Sequence, residues 1–157
     1  MAKSLERQVK DAIIEKLGDI ASVASVSTSG RGLVVAESDL SSGAPAVFLY
    51  FPVSKHEGGC GFEKVIVPVA IEAKFRFDGD VDAIDLEDVR DTLDSVEQDI
   101  RWAITEDRTW GGLAFDTRED RKVHKQTSED ANTPEAILAL YFEVEIHYRT
   151  GDLFNAF

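Results

Sequence analysis

Two stretches of the chain place apolar residues at helical spacing. In the first, the apolar positions are Leu5, Val9, Ala12, Ile13 and Leu17. Ser4 is a favourable N-cap for this stretch, and Gly18 can adopt the left-handed conformation that ends a helix. In the second, the apolar positions are Leu86, Val89, Leu93, Val96, Ile100 and Ile104, and Asp85 precedes them as a cap. Both stretches are predicted to be amphipathic helices, and the solvent face of the second is strongly acidic.

Alternating hydrophobicity predicts two long strands. In KVIVPVAIEAKFRF every second residue from Val65 to Phe77 is apolar, while the opposite face is apolar at Ile66 and polar from Glu72 onward. This strand is therefore expected to run from a buried region out into solvent. Pro68 within it is typical of an edge or a bulge. In EAILALYFEVEIHYRT the apolar residues from Leu138 to Tyr148 alternate with polar ones.

Weaker strand signals lie between the first helix and the long strands. The run AVFLYFP, Ala46 to Pro52, is short, apolar and aromatic, and turn residues bound it. This composition predicts a central strand that is covered on both faces. A short strand is expected near Ala24, and the glycines and the SSGAP stretch that follow it indicate loop or edge structure.

The segment from Glu106 to Pro134 has few large apolar residues and many charges, which predicts a protruding, partly paired arm or hairpin. A tail, residues 151–157, follows the last strand. The order of elements predicts one domain over residues 1–157, of the α+β class, with two helices packed on one face of a mostly antiparallel sheet. Both long strands exceed the usual length of about five or six residues, so we expect one or both to project beyond the helices, where a neighbouring subunit that continues the sheet is one way to pair them.

The composition and net charge of the chain disfavour several classes of function. The chain has 157 residues, of which 43% are hydrophobic, and a net charge of -13. This size and composition predict a globular fold that needs no metal or disulfide, and the acidic charge disfavours a nucleic-acid-binding surface. Cys60 is the only cysteine, so no intramolecular disulfide can form. No signal peptide or membrane segment is recognisable, and we expect a soluble protein assembled in the cytoplasm.

HEGGC, residues 56–60, places His56 and Cys60 at the spacing of two ligands on a helical zinc motif. The two glycines between them disfavour a helix, each by about 1 kcal/mol, and no second ligand pair follows. A thiol nucleophile at Cys60 with His56 as its base lacks a residue that would orient the pair. The preferred interpretation is a flexible loop without a metal.

DGDVDAID, Asp78 to Asp85, matches the first three ligand positions of a calcium-binding loop. The later positions do not match, since Ala83 replaces the required glycine and Val89 replaces the bidentate glutamate. We therefore interpret the segment as an acidic turn that leads into the second helix, where its carboxylates favour the helix N-terminus.

The two tryptophans are candidates for interface anchors, with core packing as the alternative for both. Trp102 lies between apolar positions of the second helix and is expected off its buried stripe. Trp110 precedes two glycines in the predicted arm and is the favoured contact residue. Neither His124 nor His147 has an evident catalytic partner. The chain has no phosphate-binding glycine loop, nucleophile elbow or CxxC, so we expect no enzymatic activity and no cofactor.

Taken together, the segments resemble the tail terminator proteins of long-tailed bacteriophages. SLERQVKDAIIEKLGDI is similar to the opening helix of that family, AVFLYFP to its following strand and VPVAIEAKF to its long central strand. DLEDVRDTLDSVEQDI is similar to the second helix. AILALYFEVEIHYRTGD is similar to the closing strand, which in the family ends in an aromatic, a basic and a polar residue, here Tyr148, Arg149 and Thr150.

The resemblance implies a virion protein of the phage tail or neck. Such a protein forms a ring, expected to be hexameric, that caps the tail tube, ends polymerisation of the tail tube protein and joins the tail to the head connector. DNA would pass through the ring without specific binding. The predicted contacts are His56, Trp110, Arg149, Phe154 and Phe157. A neck or head-completion adapter is the alternative, and a small metal- or ligand-binding module using HEGGC or DGDVDAID is a third hypothesis.

Overall fold

A computed structural model describes residues 3–23, 25–28, 45–76, 86–128 and 135–156. Within these ranges the chain forms two helices and a six-stranded, mostly antiparallel sheet, which confirms the predicted α+β class. The helices are α1 (Leu5–Gly18) and α2 (Leu86–Thr105). The strands are β1 (Ser25–Ser27), β2 (Ala46–Tyr50), β3 (Lys55–Gly58), β4 (Phe62–Arg76), β5 (Asp116–Ser128) and β6 (Glu135–Arg149).

Wherever the side chain is described, both helices bury the stripe that their sequence predicts, except at Ala12, which is half-buried. Ser4 caps α1, since its hydroxyl accepts a hydrogen bond from the Arg7 N–H at 3.4 Å. The buried side chains of α1 are Leu5, Val9, Ile13 and Leu17, and those of α2 include Leu93, Val96, Ile100 and Ile104. The predicted cap Asp85 and the whole DGDVDAID segment lie outside the described residues, so the proposed acidic turn stays a prediction.

The two longest strands form the centre of the sheet. β4 and β6 pair antiparallel without interruption from Phe62 opposite Arg149 to Arg76 opposite Glu135. The sheet order is β1, β2, β4, β6, β5, and β3 pairs with β4 on the same side as β2. β1 is parallel to β2, and the other neighbours are antiparallel.

A gap in the strand pairing along one side of β4 explains why a proline is tolerated in the middle of this strand. β3 pairs with β4 as far as Ile66, and β2 resumes the pairing at Ala70. Between these positions Pro68 pairs with β6 on one side only. Because proline lacks the N–H that a strand donates to its neighbour, it is tolerated where one neighbour is missing. The sequence predicts an edge or a bulge at Pro68. In the structure, Pro68 lies opposite the gap between the two shorter strands β3 and β2.

The core lies between the helices and one face of the sheet. The odd-numbered residues of β4 from Val65 to Phe75 and the even-numbered residues of β6 from Ala136 to Ile146 are all buried there together with the helical stripes. β2 contributes Val47 and Leu49 to the same core, whereas Tyr50 is 37% exposed. On the opposite face of β2, Ala46 is buried and Phe48 half-buried, so the covering of both faces that the sequence predicts holds at the start of the strand and not at Tyr50. Within the described residues no helix covers this second face of the sheet, which we call the open face.

The segment predicted as an arm forms part of the sheet. Glu106 to Phe115 make a series of turns, and β5 then pairs antiparallel with β6 as the outermost strand. The pairing is irregular between Asp120 and His124. The partial pairing expected for this segment is present, while residues 129–134 lie outside the described residues.

Candidate assembly surface

Three of the predicted contact residues lie towards one end of the sheet, which we call the hairpin end. It comprises the β3–β4 turn, the last residues of β6 and the tail after them. His56 is exposed opposite Val65, and Arg149 is exposed opposite Phe62 at the end of β6. Phe154 follows in the tail and is 48% exposed. The second tail candidate, Phe157, lies outside the described residues.

An aromatic row crosses the open face of the sheet at the hairpin end. The Phe115 ring stacks on the His147 imidazole with their centroids 4.3 Å apart and their planes at 15°. Phe62 approaches the same imidazole from the other side at 6.2 Å. Phe62 is 45% and Phe115 59% exposed, so both phenyl rings are accessible at the surface. Exposed aromatic rings held by neighbours are common anchors of protein interfaces.

A buried carboxylate organises the polar groups next to this row. Glu145 is 6% exposed, and its oxygens lie 2.6 Å from Arg118 Nη2, 2.6 Å from His147 Nε2 and 3.7 Å from Lys64 Nζ. These partners come from β5, β6 and β4, so one carboxylate links three strands. Because a buried charge is stabilised by paired, hydrogen-bonded partners, the contacts fix the His147 ring against Phe115. The surrounding shallow cleft is also lined by Lys55, Glu57 and Glu143.

The hairpin end is joined to α1 by hydrogen bonds. The Leu5 N–H donates to the Leu153 carbonyl at 2.8 Å, which docks the tail on the start of the helix. Ser54, which precedes β3 and lies outside the hairpin end, also contacts α1 by donating its hydroxyl to Glu6 at 2.7 Å. Burial alone would raise the pKa of Glu6, but hydrogen bonds from Lys10 and Ser54 lower it below its ordinary value. The Asn155 amide and the Phe154 N–H likewise lower the pKa of Asp152.

A hydrogen bond between Tyr148 and Glu63 connects the end of β6 to the start of β4. The Tyr148 hydroxyl donates to Glu63 Oε2 at 2.9 Å. Burial of the phenol and this hydrogen bond raise the pKa of Tyr148 to about 12, since both disfavour the phenolate. The phenol therefore stays neutral at physiological pH and holds the β4–β6 ladder at the hairpin end.

Trp110, the favoured contact residue of the sequence analysis, lies in the core. It is 9% exposed, and its indole N–H donates to Thr117 Oγ1 at 2.9 Å. Its backbone has a φ of 53°, and the Asp107 carboxylate accepts the Thr109 and Gly111 N–H groups on either side. The structure shows the alternative of core packing for this residue. Trp102, in contrast, is off the buried stripe as predicted and is 67% exposed.

HEGGC does not form the flexible loop that the sequence predicts. His56 and Glu57 belong to β3, and Cys60 is exposed in the turn that follows. This correction arises because the register of β4 offers His56 and Glu57 strand partners at Val65 and Lys64. Among the residues that the structure describes, no group of three or more His, Cys, Asp or Glu side chains is arranged to hold a metal ion.

Two exposed aromatics at the hairpin end, Phe62 and Phe115, were missed by sequence reasoning. Phe62 precedes the alternating run of β4, and Phe115 is one isolated apolar residue among turn and charged residues. The register of three strands brings them to the two sides of His147. One sequence signal could have indicated these two residues. Each is an aromatic residue at or just before the start of a strand, on the face opposite to the buried one.

No protein-family model matches this sequence, and no curated protein matches it significantly. None of the helices in the described ranges is sufficiently long and apolar to cross a membrane. The surface offers accessible aromatic rings and a network of paired charged side chains.

Proposed function

We propose that this chain is a structural virion protein that forms a ring, six subunits in size, at the end of a bacteriophage tail tube. In this role it caps the tube, ends polymerisation of the tail tube protein and offers a second surface to the head connector. The proposal rests on the resemblance in the order of elements and on features of the sheet that favour assembly.

The observation that carries the proposal is the outer edge of β5. Asp116–Ser128 is the last strand of the sheet, and within the described residues no strand pairs with its outer side. At its start the strand is contacted by the same chain, since Arg108 Nε donates to the Thr117 carbonyl at 3.1 Å. A long strand edge without a strand partner is an aggregation hazard unless a neighbour covers it. A closed ring of identical subunits covers every such edge with a finite number of copies.

The hairpin end supports a docking role within the same proposal. Its aromatic row is accessible, and the network around Glu145 holds it in place. A surface near one end of every subunit becomes a continuous circular face when the subunits form a ring. Such a face fits a partner that is itself a ring, as the last layer of a tail tube would be.

Tube capping tests this proposal directly. Purified chain is mixed with polymerising tail tube protein from the same phage, and tube length is measured by electron microscopy. We expect short tubes that end in an added ring, and we expect tube protein to be captured in preference to portal or connector protein. Phe62→Ser with Phe115→Ser should abolish capping, whereas Val53→Ser, which alters a side chain that is 90% exposed outside the row, should not.

Capture of the portal or connector protein alone would favour the neck adapter, which has the same general layout in a different position. Tubes of unaltered length together with capture of neither partner would contradict the proposal.

A further inference from the structure

Trp102 is an exposed tryptophan on the solvent side of α2. Its side chain is 67% exposed. Successive helical residues are about 100° apart around the axis, so Trp102 lies about 160° from the buried Ile100 and faces away from the core. Tryptophan is strongly enriched among the residues that dominate binding at protein interfaces. The solvent side of α2 is therefore a candidate contact surface, separate from the aromatic row of the hairpin end.

The surroundings of Trp102 on α2 are acidic. The helix contains six acidic residues and two basic ones. One of the basic residues, Arg101, already makes two ion pairs at 2.8 Å within the chain. Asp99, three residues before Trp102 on the same side, accepts a hydrogen bond from Ser22 Oγ at 2.6 Å and forms no ion pair with any described residue. The last turn contains no basic residue, so the partial negative charge of the helix C-terminus adds to that of the carboxylates.

A shallow cleft of about 600 Å³ lies beside the first half of α2, between the helix and residues 21 and 22. Asp88 and Asp91 line it, and no basic side chain within the described ranges pairs with either. Thr92 Oγ1 in the same lining already donates to the Asp88 carbonyl at 2.8 Å, and Ser22 Oγ donates to Asp99. Because a hydroxyl has one proton, both oxygens can only accept further hydrogen bonds. The cleft therefore offers acceptors to a cation that carries N–H donors.

One short peptide segment can span the distance between the indole and the cleft. Trp102 lies eleven residues beyond Asp91, which is about 16 Å along the helix at about 1.5 Å per residue. Five residues of extended chain cover about the same distance at about 3.3 Å each. The carboxylates repel the phosphates of nucleic acids and anionic lipids. No group of three or more His, Cys, Asp or Glu side chains in the described part of the chain is arranged to hold a metal ion.

We propose that the solvent face of α2 binds an arginine- or lysine-rich segment of another protein. One cation of that segment lies over the Trp102 ring, since indole is the best of the aromatic side chains at binding cations through its face. A second cation enters the cleft, where its N–H donors meet the oxygens of Asp88 and Asp91. The net charge of -13 adds a long-range attraction for such a partner. This inference goes beyond the proposed function and requires neither a ring nor a tail tube.

Binding of a designed peptide tests the inference. The probe is a labelled synthetic peptide in which three small residues separate two arginine pairs, and its control has the neutral isostere citrulline at all four positions. Fluorescence anisotropy at low ionic strength measures the affinity of the chain for each peptide. The arginine peptide should bind about tenfold or more tightly than the citrulline peptide, and added salt should weaken its binding.

Variants of the chain locate the contact. Trp102→Leu keeps an apolar side chain and removes the aromatic face, so it should weaken binding of the arginine peptide about fivefold. Asp88→Asn with Asp91→Asn should weaken it about tenfold. The matched control, Glu72→Gln with Asp120→Asn, removes the same charge from β4 and β5 and should change the affinity by less than about twofold. Far-UV circular dichroism confirms that each variant is folded.

Three results would overturn the inference. The first is equal weakening in the control variant, which would mean that the peptide responds to the net charge alone. The second is an arginine peptide that binds no more tightly than the citrulline peptide, or one whose affinity Trp102→Leu leaves unchanged. The third is self-association of the wild-type chain that the Trp102 and aspartate variants abolish, because a second copy would then occupy this face. Peptide binding as expected by a chain that does not cap tubes would contradict the proposed function alone.

Discussion

The two tryptophans of the chain occupy opposite environments, with Trp110 9% and Trp102 67% exposed. Trp110→Ala removes a buried ring from the core cluster and its hydrogen bond to Thr117, and it should reduce the free energy of unfolding by about 3–5 kcal/mol. Trp102→Ala removes a ring that contacts water, so it should change the free energy of unfolding of the monomer by no more than about 0.5 kcal/mol. Urea unfolding at a concentration where the chain is monomeric measures both values. Equal losses in the two variants would contradict the assignment of Trp110 to the core.

Tyr148 makes the stability of the fold depend on alkaline pH. Its pKa rises from 10.0 in the unfolded chain to about 12 in the fold, because of burial and the hydrogen bond to Glu63. Above pH 10 the Tyr148 hydroxyl loses its proton in the unfolded chain before it does so in the fold. The stabilisation that Tyr148 gives the fold is therefore complete below pH 10 and is lost as the pH rises towards 12. At about pH 11 the loss should be about 1.4 kcal/mol.

Tyr148→Phe isolates this contribution from the titration of other groups. The variant keeps the buried ring and removes the hydroxyl, so its free energy of unfolding should fall less steeply than that of the wild-type chain from pH 9.5 to about 11. Parallel urea titrations at each pH give the difference between the two curves. Curves that remain parallel through this range would show that Tyr148 ionises equally easily in both states.

At the scale of elements, the β3–β4 hairpin depends on one glycine with a positive φ. Gly61 has a φ of 87°, while Gly58 in β3 does not lie in this region, and an added Cβ would meet no atom within 4 Å at either position. Gly61→Ala should therefore cost about 1–2 kcal/mol through backbone strain alone. Gly58→Ala should be neutral or stabilise by up to about 1 kcal/mol, because alanine loses less entropy in a strand. Thermal unfolding of both variants checks the difference, and an equal effect would contradict the hairpin geometry.

The helices and the long strands were predictable because their patterns are repeated and local. α1 begins where Ser4 indicates, and it ends next to Gly18, but the left-handed conformation predicted for that glycine is wrong, since Gly18 is the last helical residue and the C-cap is Asp19 with a φ of -83°. Every second residue of β4 from Val65 to Phe75 is buried as its alternation requires. The pairing of the strands depends on contacts between distant residues, which no local pattern encodes. The β2–β3 interruption opposite Pro68 is one such case, since it is visible only once the partners of β4 are known.

The sequence of β5 predicts only a partly paired arm, for a physical reason. Within the described residues β5 pairs with a strand on one side only, and Glu119 near its start forms an ion pair with Arg101 of α2 at 2.8 Å. An edge strand shielded in this way needs few apolar residues, so its sequence resembles a loop. Trp110 was misjudged for a related reason, because its burial depends on Thr117 in that same strand.

At the scale of the whole molecule, charge is distributed unevenly. The chain carries a net charge of -13, yet residues 121–128 contain basic residues and no acidic ones. Net repulsion between copies opposes association at low ionic strength. Moderate salt should therefore promote the proposed assembly by screening the overall repulsion.

The mass of the assembled species tests the central claim most directly. Light scattering across a series of protein and salt concentrations, with negative-stain images of the largest species, measures it. Six copies of a 17.3 kDa chain have a mass of about 104 kDa, and we expect this value together with a closed ring and a central hole. A mass that remains that of one chain under all conditions, also in the presence of tail tube protein, would contradict the ring.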